Sequence, residues 1–223
     1  MLTELRYKNF ENIYVHDVYN KISSEFDVTR KYHWKSVKTF LDSLKKDVYG
    51  IDIGCGNGRN MLYRNDIKMV GIDKCSKLVD ICKEKGLDVI EGDATRLPYK
   101  NNTFDFAMSI AVIHHLSNSK RRLSALNEMI RIIKPGGYGL LSVWSLEQPE
   151  TSKKEFELGD NIVKWHSYNR DSKQIEEFHR YYHICDKNDF INFIKKVEDK
   201  IMIIGIFNEM GNWYLKFKKT AFD

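Results

Sequence analysis

Three glycines at alternate positions, Gly54, Gly56 and Gly58 in IDIGCGNGRN, follow an apolar run that closes on Asp52 and Ile53. Such a loop lets the backbone turn tightly and approach a ligand more closely than any Cβ would allow. The GxGxG spacing departs from the GxGxxG of dinucleotide-binding folds and argues against NAD, although a single glycine loop can be no more than a turn. A second apolar run ends at Asp73, where a carboxylate can accept both hydroxyls of a ribose. The third leads into GDATRLPY, whose Asp93 and Ala94 suit the exocyclic amine and the edge of an adenine. A fourth, FDFAMSIAVIHHL, opens at Asp105 and delivers Ile110, Ala111, His114 and His115 to the same edge, and KPGGYGLL supplies a Pro-Gly-Gly turn before a fifth. An aspartate at a strand end is commonly a loop carboxylate or a helix cap, so Asp73 and Asp93 each keep that alternative. The features in this order nominate Asp52, Gly54, Gly56, Asn57, Gly58, Asp73, Lys74, Asp93, Ala94, Ile110 and Ala111 as a binding set for an adenosine-bearing ligand.

Positioning such a set takes alternating strands and helices. Val15, Val18, Tyr19, Ile22 and Phe26 fall at helical spacing, as do Trp34, Val37, Leu41 and Leu44, so two amphipathic helices precede the first strand. From there VYGIDI, KMVGI, LDVIEG, FDFAMSIAV and YGLLSVW read as strands, interleaved with helical NMLYR, SKLVDICKEK and RRLSALNEMIRII. Alternation of this kind predicts a parallel sheet covered on both faces. IMIIGIF and WYLKFKK, separated by NEMGN, predict a C-terminal antiparallel hairpin. Residues 145–175 carry little periodicity, many charges and the turn residues Pro149, Gly159 and Asn169, and are expected to form a long loop.

The 223 residues suffice for a core without staples, and one domain over 1–223 is expected, with residues 1–46 forming part of the substrate site. The longest apolar run, Ile201 to Phe207, is far shorter than a membrane span, so no membrane association is expected. The opening MLTELRYKNFEN lacks the pattern of a secretory signal, and an intracellular protein is expected. Cys55, Cys75, Cys82 and Cys185 have no zinc-site spacing and read as reduced structural thiols, so no metal is expected. The net charge of +5 permits nucleic acid without demanding it. Between His114 and Lys134 the basic residues Lys120, Arg121, Arg122, Arg131 and Lys134 face Glu128 alone, a local excess of four.

Over the central half of the chain these motifs resemble the class I S-adenosylmethionine-dependent methyltransferase pattern, a Rossmann-like α/β fold with a mostly parallel seven-stranded sheet, helices on both faces and a C-terminal antiparallel hairpin. Segments outside that pattern are similar to the eukaryotic tRNA carboxymethyluridine methyltransferase family: YVHDVYNKISSEFDVTRKYHW (14–34), SIAVIHHLSNSKRR (109–122), VWSLEQ (143–148), FHRYYHI (178–184) and the closing GNWY. Asp27 and Lys35 stand where the family usually has Ser and Pro, and the stretch from Pro149 to Glu176 differs. The resemblance implies S-adenosylmethionine as cofactor and esterification of carboxymethyluridine at the wobble position. It further implies the tRNA anticodon loop as partner, a small zinc-binding activator subunit as second chain, and a cytoplasmic location with the nucleus as the alternative.

A carboxylate with an ordinary pKa near ~4 is already ionised at neutral pH, so such a reaction needs no strong base. It needs placement of nucleophile, methyl and leaving sulfur, which can contribute ~7 to 11 kcal/mol. Arg30 is expected to grip the carboxylate, its alternative being a surface pair with Asp27 or Glu25. One of His114 and His115 is expected to touch the substrate while the other packs, and Trp144 could stack on a flipped base or serve the core. Along FHRYYHI, Arg180 or His183 is expected to face the substrate. Lys120, Arg121 and Arg122 suit anticodon-stem phosphates, the alternative being a solvated helix face. Leu87, Val89 and Ile90 would leave the third strand an unprotected sheet edge on which the activator could dock. Two other functions stay open: a methyltransferase of the same fold acting on a small metabolite or lipid quinone, and a non-catalytic scaffold.

Overall fold

The computed structural model describes residues 2–30, 32–152, 154–169 and 174–221. A seven-stranded sheet is built from β1 (Tyr49–Ile53), β2 (Lys68–Asp73), β3 (Val89–Glu91), β4 (Phe104–Ile110), β5 (Ile133–Trp144), β8 (Ile201–Glu209) and β9 (Asn212–Lys219), in the order β3-β2-β1-β4-β5-β9-β8. The first five pair in parallel, and β9 runs antiparallel between β5 and β8. Strand order therefore reverses beside β1, which is where an open α/β sheet leaves a crevice at its carboxyl ends.

Helices cover both faces because the central strands are apolar on both. On β4, Phe106, Met108 and Ile110 pack with Val37, Phe40 and Leu41 of α3 (Lys35–Asp42). Phe104 and Ala107 join Leu126, Met129 and Ile130 of α5 (Ser119–Ile132) and Phe190 and Ile194 of α6 (Lys187–Lys195) in a second cluster. A third cluster lies under α4 (Ser76–Glu84), whose Val79 and Cys82 meet Cys55, Met61 and Val89. All four cysteines are buried and free.

At the N-terminus, α1 (Leu2–Glu11) and α2 (Asp17–Thr29) are joined by a π-helical turn over Asn12–His16, so this region holds one more helix than the periodicity predicts. Residues 60–64, read as helical, form turns instead. The segment Lys134 to Gly137 is a bulge inside β5: Phe104 pairs with Ile133, and the next pair is Phe106 with Tyr138. The predicted loop over 145–175 is corrected most. Residues 159–169 form β6, which pairs along its whole length with β7 (Gln174–Ile184) in a two-stranded ribbon. Its charges disguise an alternation, in which Asn161, Val163, Trp165 and Ser167 are half-buried while Ile162, Lys164 and His166 are exposed. The part of the predicted loop at 153 and 170–173 lies outside the described residues.

Candidate functional site

A cleft of roughly 500 Å³ opens at the carboxyl ends of the parallel strands, roofed by α2 and by β7. Its floor is the glycine loop. Gly54 has φ +74°, and a Cβ there would sit 2.4 Å from Val112, so only glycine fits the turn. Gly58, also at positive φ, serves packing: its missing Cβ makes room for Leu87, and it does not line the cleft. The Gly56 and Cys75 amides donate to the two oxygens of Asp73, each at 2.8 Å. Burial raises the Asp73 pKa, against these amides, and the carboxylate keeps lone pairs directed at the cleft it lines. Asp93 accepts from the Thr95 amide (2.9 Å) and hydroxyl (2.7 Å) and from Arg121 (3.3 Å). Burial works to raise its pKa, but these partners outweigh it and hold the carboxyl below its ordinary range.

Of the expected binding set, Gly54, Gly56, Asn57, Asp73, Lys74, Asp93, Ala94, Ile110 and Ala111 line this cleft, whereas Asp52 and Gly58 lie behind it. Asp52 is 1% exposed; one oxygen accepts from Asn60 at 3.2 Å and the other has no partner. Burial pushes its pKa up to about 7.

The opposite end of the cleft is cationic. Arg30, Arg59, Lys154 and Arg180 line it, and the two lining carboxylates, Asp73 and Asp93, stand at the far end. Arg180 is 4% exposed, yet among the described residues no carboxylate reaches it and its Nε has no hydrogen-bond partner. It is held by rings, 4.6 Å from Trp165, 5.3 Å from Tyr182 and 6.0 Å from Tyr19. Arg30 lies over Phe26 and Trp165, and neither surface pair forms: Asp27 takes Lys85 and Glu25 takes the Trp165 indole N–H. His183 points the other way, pairing with Asp160 at 2.7 Å, as its odd spacing from Arg180 requires on a strand.

The two histidines separate cleanly. The Trp144 amide donates to His114 Nδ1 at 2.9 Å, so the ring proton sits on Nε2, which is buried without a partner. His115 donates from Nδ1 to the Tyr181 carbonyl at 2.8 Å and accepts the Tyr19 hydroxyl on Nε2 at 3.1 Å. Tyr182 completes that relay at 3.3 Å from Tyr19. Burial pushes the His115 pKa down to about 3 and that of His114 well below its ordinary value, with His115 and Arg180 adding to the effect. Both are neutral, and His114, a residue of the cleft lining, keeps its unpartnered Nε2 proton buried.

Two expectations are corrected here. Trp144 has no free face for a base: Tyr182 stacks on it at 4.1 Å and 8°, and Lys154 Nζ lies 4.1 Å from the ring centroid. Arg121 is 7% exposed and bound to Glu11 and Asp93, so it cannot reach a phosphate; Arg122 caps the Leu116 carbonyl at 2.8 Å, and of the three only Lys120 is exposed. Sequence reasoning missed Tyr19, Lys154 and Tyr182, together with Trp165, which braces Arg180 from behind the lining. Tyr19 passed as a core position at helical spacing, and Trp165 and Lys154 lay in the presumed loop.

Residues 51–141 match the family described as a methyltransferase domain. The tRNA (carboxymethyluridine(34)-5-O)-methyltransferase of Schizosaccharomyces pombe is 38% identical over 95% of this chain and 98% of its own. The chain belongs to that family. Another member, the Xenopus tropicalis tRNA (carboxymethyluridine(34)-5-O)-methyltransferase alkbh8, is 29% identical over 97% of this chain but extends further, the match spanning 42% of its length. Among solved structures, a chain from the complex between the Haloferax volcanii Trm112 methyltransferase activator and a methyltransferase superposes with a TM-score of 0.68 at 14% identity, covering 94% of this chain and 99% of its own. At that identity the likeness concerns the fold, which the family shares with class I methyltransferases.

Proposed function

We infer that the chain is an S-adenosylmethionine-dependent tRNA methyltransferase that esterifies 5-carboxymethyluridine at the wobble position, and that the cationic end of the cleft receives the carboxymethyl group. The names of the relatives supply the reaction. The observation that carries the assignment of the site is the buried Arg180, a guanidinium with no carboxylate of the described chain to neutralise it. A buried unpaired charge is strongly unfavourable, and a substrate carboxylate would supply what is missing.

The residues fit the cofactor: Asp73 suits a ribose, Asp93 and Ala94 an adenine, and the Gly54 to Gly56 backbone leaves room for a close approach. When bound, S-adenosylmethionine supplies an electrophilic methyl group. The chain's own residues need move no proton, since the substrate carboxylate is ionised and both histidines are neutral. Arg180 and the His114 Nε2 proton would hold the carboxylate, and Arg30 would close the cleft from α2. Both orphan groups are donors, a set that favours a carboxylate over a carboxamide, whose N–H would face them without an acceptor.

For partners we propose the tRNA anticodon loop and a zinc-binding activator subunit docked on β3. Support for docking comes from the position of β3 at the sheet edge with Ile90 37% exposed, although Val89 is buried and Leu87 half-buried, so backbone pairing rather than apolar area would dominate. We place the protein in the cytoplasm; among the described residues no helix is long and apolar enough to cross a membrane. The test is methyl transfer by the chain co-expressed with its activator, using tRNA that carries carboxymethyluridine and tRNA that lacks it. Labelling confined to the first supports the reading, and equal labelling of both overturns it.

A further inference from the structure

Arg121 sits at the centre of a three-residue ion cluster, buried at Arg121 and Glu11 and half-buried at Asp93, that ties the N-terminal helices to the binding edge of the sheet. Its Nε lies 2.8 and 3.1 Å from the two carboxylate oxygens of Glu11, and its Nη2 lies 3.3 Å from Asp93 Oδ2. Glu11 is 1% exposed, and its Oε1 also accepts the amide and the hydroxyl of Ser117, both at 2.7 Å. Asp93 is held on its other oxygen by Thr95. Each carboxylate thus meets the same guanidinium from a different element: Glu11 from the last residue of α1, Asp93 from the loop after β3.

The place of Glu11 gives the cluster reach. Immediately after it come the π-helical turn, which brings Val15 and His16 to the cleft, and α2, which brings Tyr19 and Phe26 and ends on Arg30. α1 itself contributes no described residue to the lining. A planar guanidinium that bridges two carboxylates through two of its nitrogens fixes direction as well as distance, so a shift of Asp93 is felt by α1. We propose that Arg121 is a positioning residue that couples occupancy of the adenosine end of the cleft, through Asp93 and Glu11, to the seating of the helices bearing Tyr19 and Arg30. This rests on the reading of Asp93 as a cofactor-binding residue. Its consequence is reciprocal: cofactor tightens the cap, and a seated cap tightens the cofactor.

The experiment is amide hydrogen exchange of residues 6–11 in the full chain, with and without saturating S-adenosylhomocysteine, alongside calorimetric affinity for that ligand. The wild type should bind and slow exchange in α1 by fivefold or more, although α1 does not touch the cleft. Glu11→Gln, which keeps the shape of the side chain and removes its charge, should still bind at high ligand concentration but lose that slowing. Should Glu11→Gln not fold, Arg121→Lys serves, since an ammonium cannot span both carboxylates in a fork. A wild-type chain that binds without slowing α1, or a variant that retains the slowing, overturns the coupling. Failure of the wild type to bind the ligand at all overturns instead the cofactor reading beneath it.

Discussion

Replacing Arg180 with Met should make the protein more stable and nearly inactive. An unpaired buried ion costs several kcal/mol. At a desolvated site a ring can return about 2 kcal/mol, which Trp165 at 4.6 Å approaches while Tyr182 and Tyr19 at 5.3 and 6.0 Å return less, and the substitution keeps the apolar stem packed. The net gain is on the order of 1 to 3 kcal/mol, which for a chain of this size raises Tm by about 2 to 12 °C. Catalysis moves the other way. A charge-assisted hydrogen bond to the substrate carboxylate is worth about 1.5 to 3 kcal/mol, and leaving that carboxylate buried without a counter-charge adds to the loss. At 1.36 kcal/mol per tenfold, kcat/KM should fall about 10² to 10³. Thermal denaturation of the ligand-free chain and steady-state methyl transfer read the two effects separately. A variant with a lower Tm, or one whose kcat/KM stays within threefold of wild type, would refute the assignment of Arg180 as a charge awaiting its substrate.

Other outcomes follow from the buried titratable groups and the glycine loop. Burial raises the Asp52 pKa from an ordinary 3.8 to about 7, so its contribution to stability is intact at acid pH and is lost as pH rises through the folded pKa. Asp52→Asn should remove that slope, and the stability difference between variant and wild type in denaturant titrations should grow between pH 4 and 7 by at most about 4 kcal/mol. His115, with a folded pKa of about 3, works in the opposite sense, losing stability as pH falls below 6.5, and kcat/KM should show no histidine inflection between pH 6 and 8. Tyr19→Phe strips His115 Nε2 and Tyr182 of their shared partner, which should cost about 1 to 3 kcal/mol in chemical denaturation. Gly54→Ala meets both φ +74° and a 2.4 Å contact with Val112, and cofactor affinity by calorimetry should drop more than tenfold.

The convergence of Gly54, Asp73 and Asp93 on one cleft was legible in the sequence because it is local. Each contributor sits at the end of an apolar run, and strand parity with glycine spacing brings Gly54, Asp73 and Asp93 to one edge once the sheet is parallel. Arg180 over His183 could have been settled by parity alone, given the ring packing of Tyr182 on the same face. Less was legible at the cationic end, whose parts are gathered across long separations. Trp165 braces Arg180 from a ribbon whose charges hide its alternation, and Lys154 reaches Trp144 from an irregular segment. Arg121 misled for a different reason. A basic run at a helix start resembles a phosphate patch, and only the fold reveals Glu11, 110 positions away, waiting for its middle member. Two adjacent histidines likewise cannot be told apart until the backbone partners of each nitrogen are known.

The most direct test is competition between two anticodon stem-loops, one with carboxymethyluridine and one with carbamoylmethyluridine at the wobble position, in the presence of labelled S-adenosylmethionine. A site of two orphan donors predicts transfer to the carboxylate alone, with label that mild alkali releases as expected of an ester. Comparable transfer to the amide, or label that resists alkali, would contradict it.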